Sequence, residues 1–320
     1  MVAVMEEKRL RFGVHAPPEG KNFREMRELC QAAENLGYDL FTVTDHFMNM
    51  ANPAGPENHP LECWTTLAGL ATVTSKIDLG PLVCCVNFRH PTVLAKMATT
   101  VDIISGGRLF FGVGAGAVFG GTEFEGFMGR YPSARERLDG LEDAIQICRS
   151  MFTKELTNFS GKLYSAKNTL NSPRPIQESI PIIVGGSGEK RTLKIAAKYA
   201  DISHLFSNSP QELKHKLEVL RMHCQNVKQD YRDISIATGF RPIMDPTTEE
   251  IKTRTEWMSN RAKISLSEAE KLVRLTVGAK NILSTLAEYQ RLGVTLVTLN
   301  SLGIEEMKSF KEEVISKLRQ

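Results

Sequence analysis

Residues 41–49 read FTVTDHFMN, an apolar run, Phe41-Thr42-Val43-Thr44, that stops at Asp45 and His46 and then meets Phe47. A run rich in β-branched and aromatic residues reads as a buried strand. The acid and the histidine therefore stand where that strand leaves the core. Imidazole titrates near pH 6.5 and can give or take a proton at neutral pH. A neighbouring carboxylate can fix its tautomer or hold a hydroxyl group. The same two residues also suit a helix cap and a turn, and by themselves they leave both readings open.

Other strand ends carry a similar mixture. His15 closes a strand at 10–15. Leu82, Val83 and Cys84 lie toward the end of a strand at 77–85. The strand at 108–113 runs into a glycine-rich loop containing Gly114, Ala115, Gly116 and Phe119, and the strand at 181–184 into Gly185, Gly186, Ser187 and Gly188. A glycine turn followed by a helix N-terminus presents free N–H groups and a positive dipole end to an anion, although a tight turn also uses glycine for its own sake. Arg241 follows a strand at 233–240, as a substrate contact or as a plain surface arginine. Gathered on one face with Phe47, Phe88 and Phe119, these groups suit a flat, largely apolar ring system held by a few polar anchors.

Several chemistries lack their residues. There is no H-E-x-x-H, P-loop or G-x-S-x-G motif. Acids at the strand ends are few, which argues against glycosidase-type carboxylate pairs. The seven histidines do not fall at metal-ligand spacing, so no metal site is expected. By elimination, an organic cofactor carries the chemistry.

The elements that must position these groups alternate between strand-like and helix-period runs. Strands are expected at 10–15, 40–44, 77–85, 108–113, 181–184, 201–206, 233–240 and 294–300, with helices between them. Eight such units in about 300 residues fit a closed (β/α)8 TIM barrel, an α/β fold whose active sites lie at the C-terminal ends of the strands. The turn after the first strand, HAPPEGKNF, lacks the G-x-G-x-x-G of an open dinucleotide-binding sheet. No linker divides the chain, so one domain over 1–320 is expected, with excursions near 114–132, 153–180 and 246–280. The stretch 114–132 reads as a loop, 153–180 as a small surface excursion such as a hairpin, and 246–280 as a helical insertion or lid.

Composition narrows the class further. The 320 residues carry 40 basic and 37 acidic side chains, a formal net charge of +3. That balance makes no case for nucleic acid or a membrane as partner. No apolar run approaches the roughly 18 residues of a membrane span, and the N-terminus does not read as a signal peptide. Six cysteines without C-x-x-C spacing read as reduced residues of a cytoplasmic protein, with adjacent Cys84 and Cys85 facing opposite sides of their strand.

The segments GYDLFTVTDHF, PLECWTTLAGLATVTSKIDLGPLV, RHPTVLAKMATTVDIISGGRLFFGVGAG, ARERLDGLEDAI and PIIVGGSGEKRTLKIAAKYAD together resemble the luciferase-like monooxygenase superfamily. The resemblance is closest to its branch of oxidoreductases that use the deazaflavin coenzyme F420. It covers most of residues 9–205, and its motifs do not separate deazaflavin users from FMN users.

The resemblance implies a (β/α)8 barrel, commonly a homodimer, with the cofactor ring at the strand ends. It implies a non-prolyl cis peptide at Leu82-Val83, behind the ring. Asp45 and His46 match a pair near the ring whose histidine assists hydride transfer, Gly114 to Gly116 match glycines beside the cofactor, and Gly185 to Ser187 match the loop that holds its phosphate-bearing chain. Two departures stand out. Sugar-phosphate dehydrogenases of this branch have a glutamate where this chain has Ala117, and a lysine where it has Ser207, Asn208 and Ser209. Glu123 and Glu125 lie further along the same loop, as replacements for that glutamate or as solvated side chains. The expected activity is F420-dependent hydride transfer to or from a small organic substrate; the alternatives are an FMN-dependent monooxygenase and a non-catalytic flavin- or deazaflavin-binding protein.

Overall fold

The computed structural model describes residues 9–49, 57–117 and 120–319. Nine parallel strand segments form one sheet, in the order β3-β2-β1-β11-β10-β9-β8-β5-β4. They are β1 (Arg11–His15), β2 (Leu40–Val43), β3 (Asp78–Pro81), β4 (Cys84–Cys85), β5 (Phe111–Gly114), β8 (Ile182–Gly185), β9 (Ile202–Leu205), β10 (Ser235–Phe240) and β11 (Val294–Asn300). The two remaining strands, β6 (Leu156–Ser160) and β7 (Ser165–Leu170), pair as an antiparallel hairpin in the excursion at 153–180.

β3 and β4 are two halves of one barrel strand. β3 pairs with β2, and β4 pairs with β5. Between them the Leu82-Val83 bond is cis, as the family resemblance implies. A parallel bridge between Leu79 and Leu109 links this strand to the approach of β5. The nine segments thus occupy eight positions of a nearly closed (β/α)8 barrel.

The helices are α1 (Phe23–Asn35), α2 (Cys63–Thr72), α3 (Pro91–Ser105), α4 (Gly121–Met128), α5 (Ala134–Thr153), α6 (Thr192–Tyr199), α7 (Pro210–Val227), α8 (Thr248–Ala262), α9 (Leu266–Arg274), α10 (Ala279–Arg291) and α11 (Ile304–Phe310). Their ends follow from local chemistry. Asn22 with Glu25, and Ser133 with Glu136, form capping boxes that satisfy the first amides of α1 and α5. Pro91 opens α3, and Gly106 ends it at a φ of 72°, a left-handed conformation that glycine adopts without strain. The lid-like stretch at 246–280 folds as α8 and α9.

Alternation along the strands sorts their side chains. Phe12, Val14, Phe41, Val43, Ile182 and Val184 pack outward in the main core shared with the helices. Leu40, Leu82, Phe110, Ile183, Ala237 and Leu296 form a second cluster that fills the barrel interior, with Val83 packed against it. Above them, toward the strand C-termini, the interior residues of β1, β2, β9 and β11 are His15, Thr42, His204 and Thr298. The barrel lining therefore changes from apolar to polar at the end where a (β/α)8 barrel carries its active site.

Candidate active site

His46 follows β2 and meets a carboxylate from a segment read above as a loop. Residues 121–128 form α4, and its Glu123 is 1% exposed rather than solvated. His46 Nδ1 and Glu123 Oε2 are 3.0 Å apart. The other carboxylate oxygen accepts the backbone N–H groups of Phe47 and Met48. Against a carboxylate, Nδ1 carries the proton, which leaves Nε2 as the nitrogen that gains or loses one. Burial works against the imidazolium, yet the hydrogen bond and charge of Glu123 outweigh it, and the His46 pKa is raised above its ordinary 6.5. Glu125 is exposed.

Asp45 is occupied elsewhere. Both its oxygens receive the Arg89 guanidinium, at 2.8 and 3.0 Å, and one also accepts the Cys85 N–H at 3.1 Å. Arg89 reaches on to Glu62 Oε1 at 2.6 Å. Burial disfavours the Arg89 charge, but Asp45 more than compensates and the guanidinium pKa is raised. Asp45 thus ties the exit of β2 to β4 and to the segment before α3. The group that fixes the His46 tautomer is Glu123.

His15 and His204 sit deeper and have hydroxyl partners. His15 Nδ1 is 2.7 Å from Thr42 Oγ1. The Thr42 hydroxyl donates to the Val14 carbonyl, so it accepts from His15. His204 Nε2 is likewise 2.9 Å from Thr298 Oγ1, whose hydroxyl donates to the Thr238 carbonyl. This leaves His204 Nδ1 as a buried acceptor without a partner among the described residues. Burial, with the charge of His46, lowers the His15 pKa to about 4. Burial, with the charge of His15, lowers that of His204 to about 3. Both imidazoles are neutral at neutral pH.

The glycines at the mouth have a packing reason of their own. A Cβ on Gly185 would lie 2.6 Å from Val83, and one on Gly114 would lie 2.7 Å from it. Val83 thus fits between two strands that must be bare at these positions. Gly116 has a φ of 91°, and Ala115 accepts a hydrogen bond from Asn87. Gly186 has a φ of 124° and donates its N–H to the backbone carbonyl of His204. Ser187 Oγ lies 2.8 Å from both the N and the O of Phe206, so it staples the loop after β8 to the end of β9. Gly188 precedes α6, which has no side-chain N-cap bond.

Of the remaining candidates, Phe47 stacks on Phe88 and Phe127 at 4.9 and 4.6 Å, with the Arg89 guanidinium over its ring. The Cys84 side chain is fully buried in the outer core, so the mouth meets only its backbone, while Cys85 packs on Phe88 and Phe124. Both thiols are free, and they face opposite sides. Arg241 is exposed, and Phe119 lies outside the described residues. A cleft of about 450 Å³ opens elsewhere, between α5 and α6, and includes none of these strand-end residues.

A (β/α)8 barrel with a titratable pair at the exit of its second strand is an enzyme-type architecture. The chain belongs to the luciferase-like monooxygenase family, whose model matches residues 8–295. It is 25% identical to the F420-dependent glucose-6-phosphate dehydrogenase of Microbacterium testaceum (strain StLB037), over 97% of this chain and 98% of that protein. It is 28% identical to pyrimidine monooxygenase RutA of Escherichia coli O7:K1, over 77% of this chain and 73% of that protein. Its fold matches a solved F420-dependent secondary alcohol dehydrogenase in complex with an F420-acetone adduct, with a TM-score of 0.81 and 18% identity, covering 96% and 99% of the two chains. The family relation makes this protein one of the luciferase-like oxidoreductases and monooxygenases.

Proposed function

We propose that this protein is a coenzyme F420-dependent oxidoreductase that transfers a hydride between the deazaflavin and a small organic substrate. The observation that carries the reading is His46 at the exit of β2, held by a buried carboxylate and so equipped to move a proton at Nε2. Similarity over nearly the full length to an F420-dependent dehydrogenase supports the choice of cofactor.

The residues at the mouth fit such a group. Val83, between Gly114 and Gly185, offers an apolar surface to one face of a flat ring. His204 Nδ1 is a buried acceptor without a donor among the described residues. The N-terminus of α6, uncapped by any side chain, and the loop at Ser187 and Gly188 offer N–H groups to a phosphate. When bound, the deazaflavin would supply the carbon that accepts or gives the hydride. The chain's own residues do the rest. Glu123 holds the His46 ring and its tautomer. His46 Nε2 takes or returns the proton that accompanies the hydride. Asp45, locked by Arg89, fixes the backbone from which His46 projects.

Similarity to a monooxygenase keeps an FMN-dependent oxygenation as the second reading. A titration of the purified protein with oxidised F420 and with FMN, side by side, separates the two. Oxidised F420 is expected to bind at micromolar concentration or tighter, with quenching of its fluorescence, and FMN more weakly. Tight FMN binding with no deazaflavin response would replace the first reading by the second.

A further inference from the structure

Helix α8 carries Arg254, Trp257 and Arg261, three and four residues apart and so on one helical face. The Arg254 guanidinium lies 4.5 Å from the centre of the Trp257 ring, and that of Arg261 lies 5.3 Å from it. Trp257 is 46% exposed, although indole is a side chain that folding usually covers. Arg241, the first residue after β10, adds a third positive charge. Burial lowers the pKa of Arg254, and the charges of Arg241 and Arg261 lower it further. The segment is anchored to the barrel connection, since Ile243 N donates to Thr276 O and Gly278 N to Ile243 O.

Asp245, Glu249, Glu250 and Glu256 lie in the same segment, but no ion pair among the described residues engages Arg241 or Arg254. One of these acids, Glu250, accepts the N–H and hydroxyl of Thr247 in the capping box of α8, and it feels the charge of Arg241. Between α5 and α6 the pattern is the reverse. There Lys162, Arg191 and Lys198 are interleaved with Asp139 and Glu142 in direct pairs. Guanidinium groups that repel one another beside an open aromatic face are stabilised by an anion between them, most of all where they are partly withdrawn from water.

We propose that Arg241, Arg254, Arg261 and Trp257 form a binding site for the anionic group of an organic substrate, a carboxylate or a phosphate, whose flat or apolar body rests on the Trp257 ring. The site lies where β10 leaves the barrel, on the face that also carries His46. That the ligand is the substrate rests on the reading under Proposed function; the anion site itself does not.

Tryptophan emission reads the site directly, because the second tryptophan, Trp64, is 2% exposed in the core. The full-length protein is titrated with benzoate and with inorganic phosphate, at ionic strength held constant with chloride. A saturable change in emission is expected. It should be absent in Trp257→Phe, and about tenfold weaker in affinity in Arg254→Gln and in Arg241→Gln, which each lose a charge-assisted bond. Arg254→Lys, which keeps the charge and loses the fork, should fall between. A linear response, or a saturable one that neither glutamine variant alters, overturns the proposal; Arg241 is exposed, so its variant folds even if Arg254→Gln does not. The titration is repeated with saturating oxidised F420. A retained response supports a substrate site, and an abolished one assigns the arginines to the cofactor and overturns the substrate assignment. Failure of F420 to bind, with the benzoate response intact, defeats the cofactor reading and leaves the anion site standing.

Discussion

His46 and His204 are both imidazoles at the open end of one barrel, and their partners set them in opposite states. His46 sits at the rim with its side chain 22% exposed and leans on Glu123, which is almost wholly covered. His204 is deeper, 1% exposed, and its Nε2 meets the Thr298 hydroxyl, not a carboxylate. A carboxylate holds the proton on the first, while a hydroxyl cannot offset the burial of the second. Depth alone does not decide which histidine can change its charge near neutral pH. The charge of the partner does, because it moves the pKa toward working pH or away from it.

The comparison fails if the rim histidine proves dispensable. His46→Ala is expected to lower turnover by roughly 10²–10⁴, the usual worth of a proton-transfer group. Oxidised-F420 affinity should change little. Unchanged turnover, measured by the change in deazaflavin absorbance, would make His46 a wall residue like His204.

Removing the charge but not the shape of the partner sharpens the contrast. Glu123→Gln keeps a hydrogen-bonding side chain and loses the carboxylate. The limb of the kcat/KM–pH profile that reports His46 should lie above pH 6.5 in the parent protein and move toward acid in the variant. A profile that keeps its position would mean that Glu123 serves α4 alone.

The smallest expected effect separates the two settings by stability. A raised pKa, as at His46, gives stability that is complete below pH 6.5 and fades as pH rises through the folded value. A depressed pKa, as at His15 and His204, gives stability that is complete above pH 6.5 and is lost as pH falls toward 4 and then 3. Together the two deep histidines should remove on the order of a few kcal/mol across that acid window. Urea midpoints between pH 7 and 4 test this: His204→Gln should flatten the fall, and a fall just as steep would show that other groups govern it.

The barrel was legible because its strands are short β-branched runs and its helices carry apolar residues at a period of 3.6; β11 matches its sequence limits residue for residue. α4 was not. The segment GGTEFEGFMG holds four glycines within ten residues and has little helix propensity of its own. It is held by long-range contacts instead: Phe124 packs on Phe88 and Tyr131 at 4.8 and 5.5 Å, and Glu123 bonds a turn 77 positions away. The Asp45–Arg89 pair spans 44 positions and had no local signal either. The one available hint was an acid lodged in an aromatic run, E-F-E-G-F, where a solvated loop would carry fewer rings. The cis bond at Leu82-Val83 came through the family resemblance, since chain physics by itself favours trans.

Glu123 belongs to none of the barrel strands. It sits in a short segment bounded by Gly120 and Gly129, which meets the rim through one carboxylate and a patch of rings. A main influence on the working pH of this histidine thus lies outside the eight strands of the barrel.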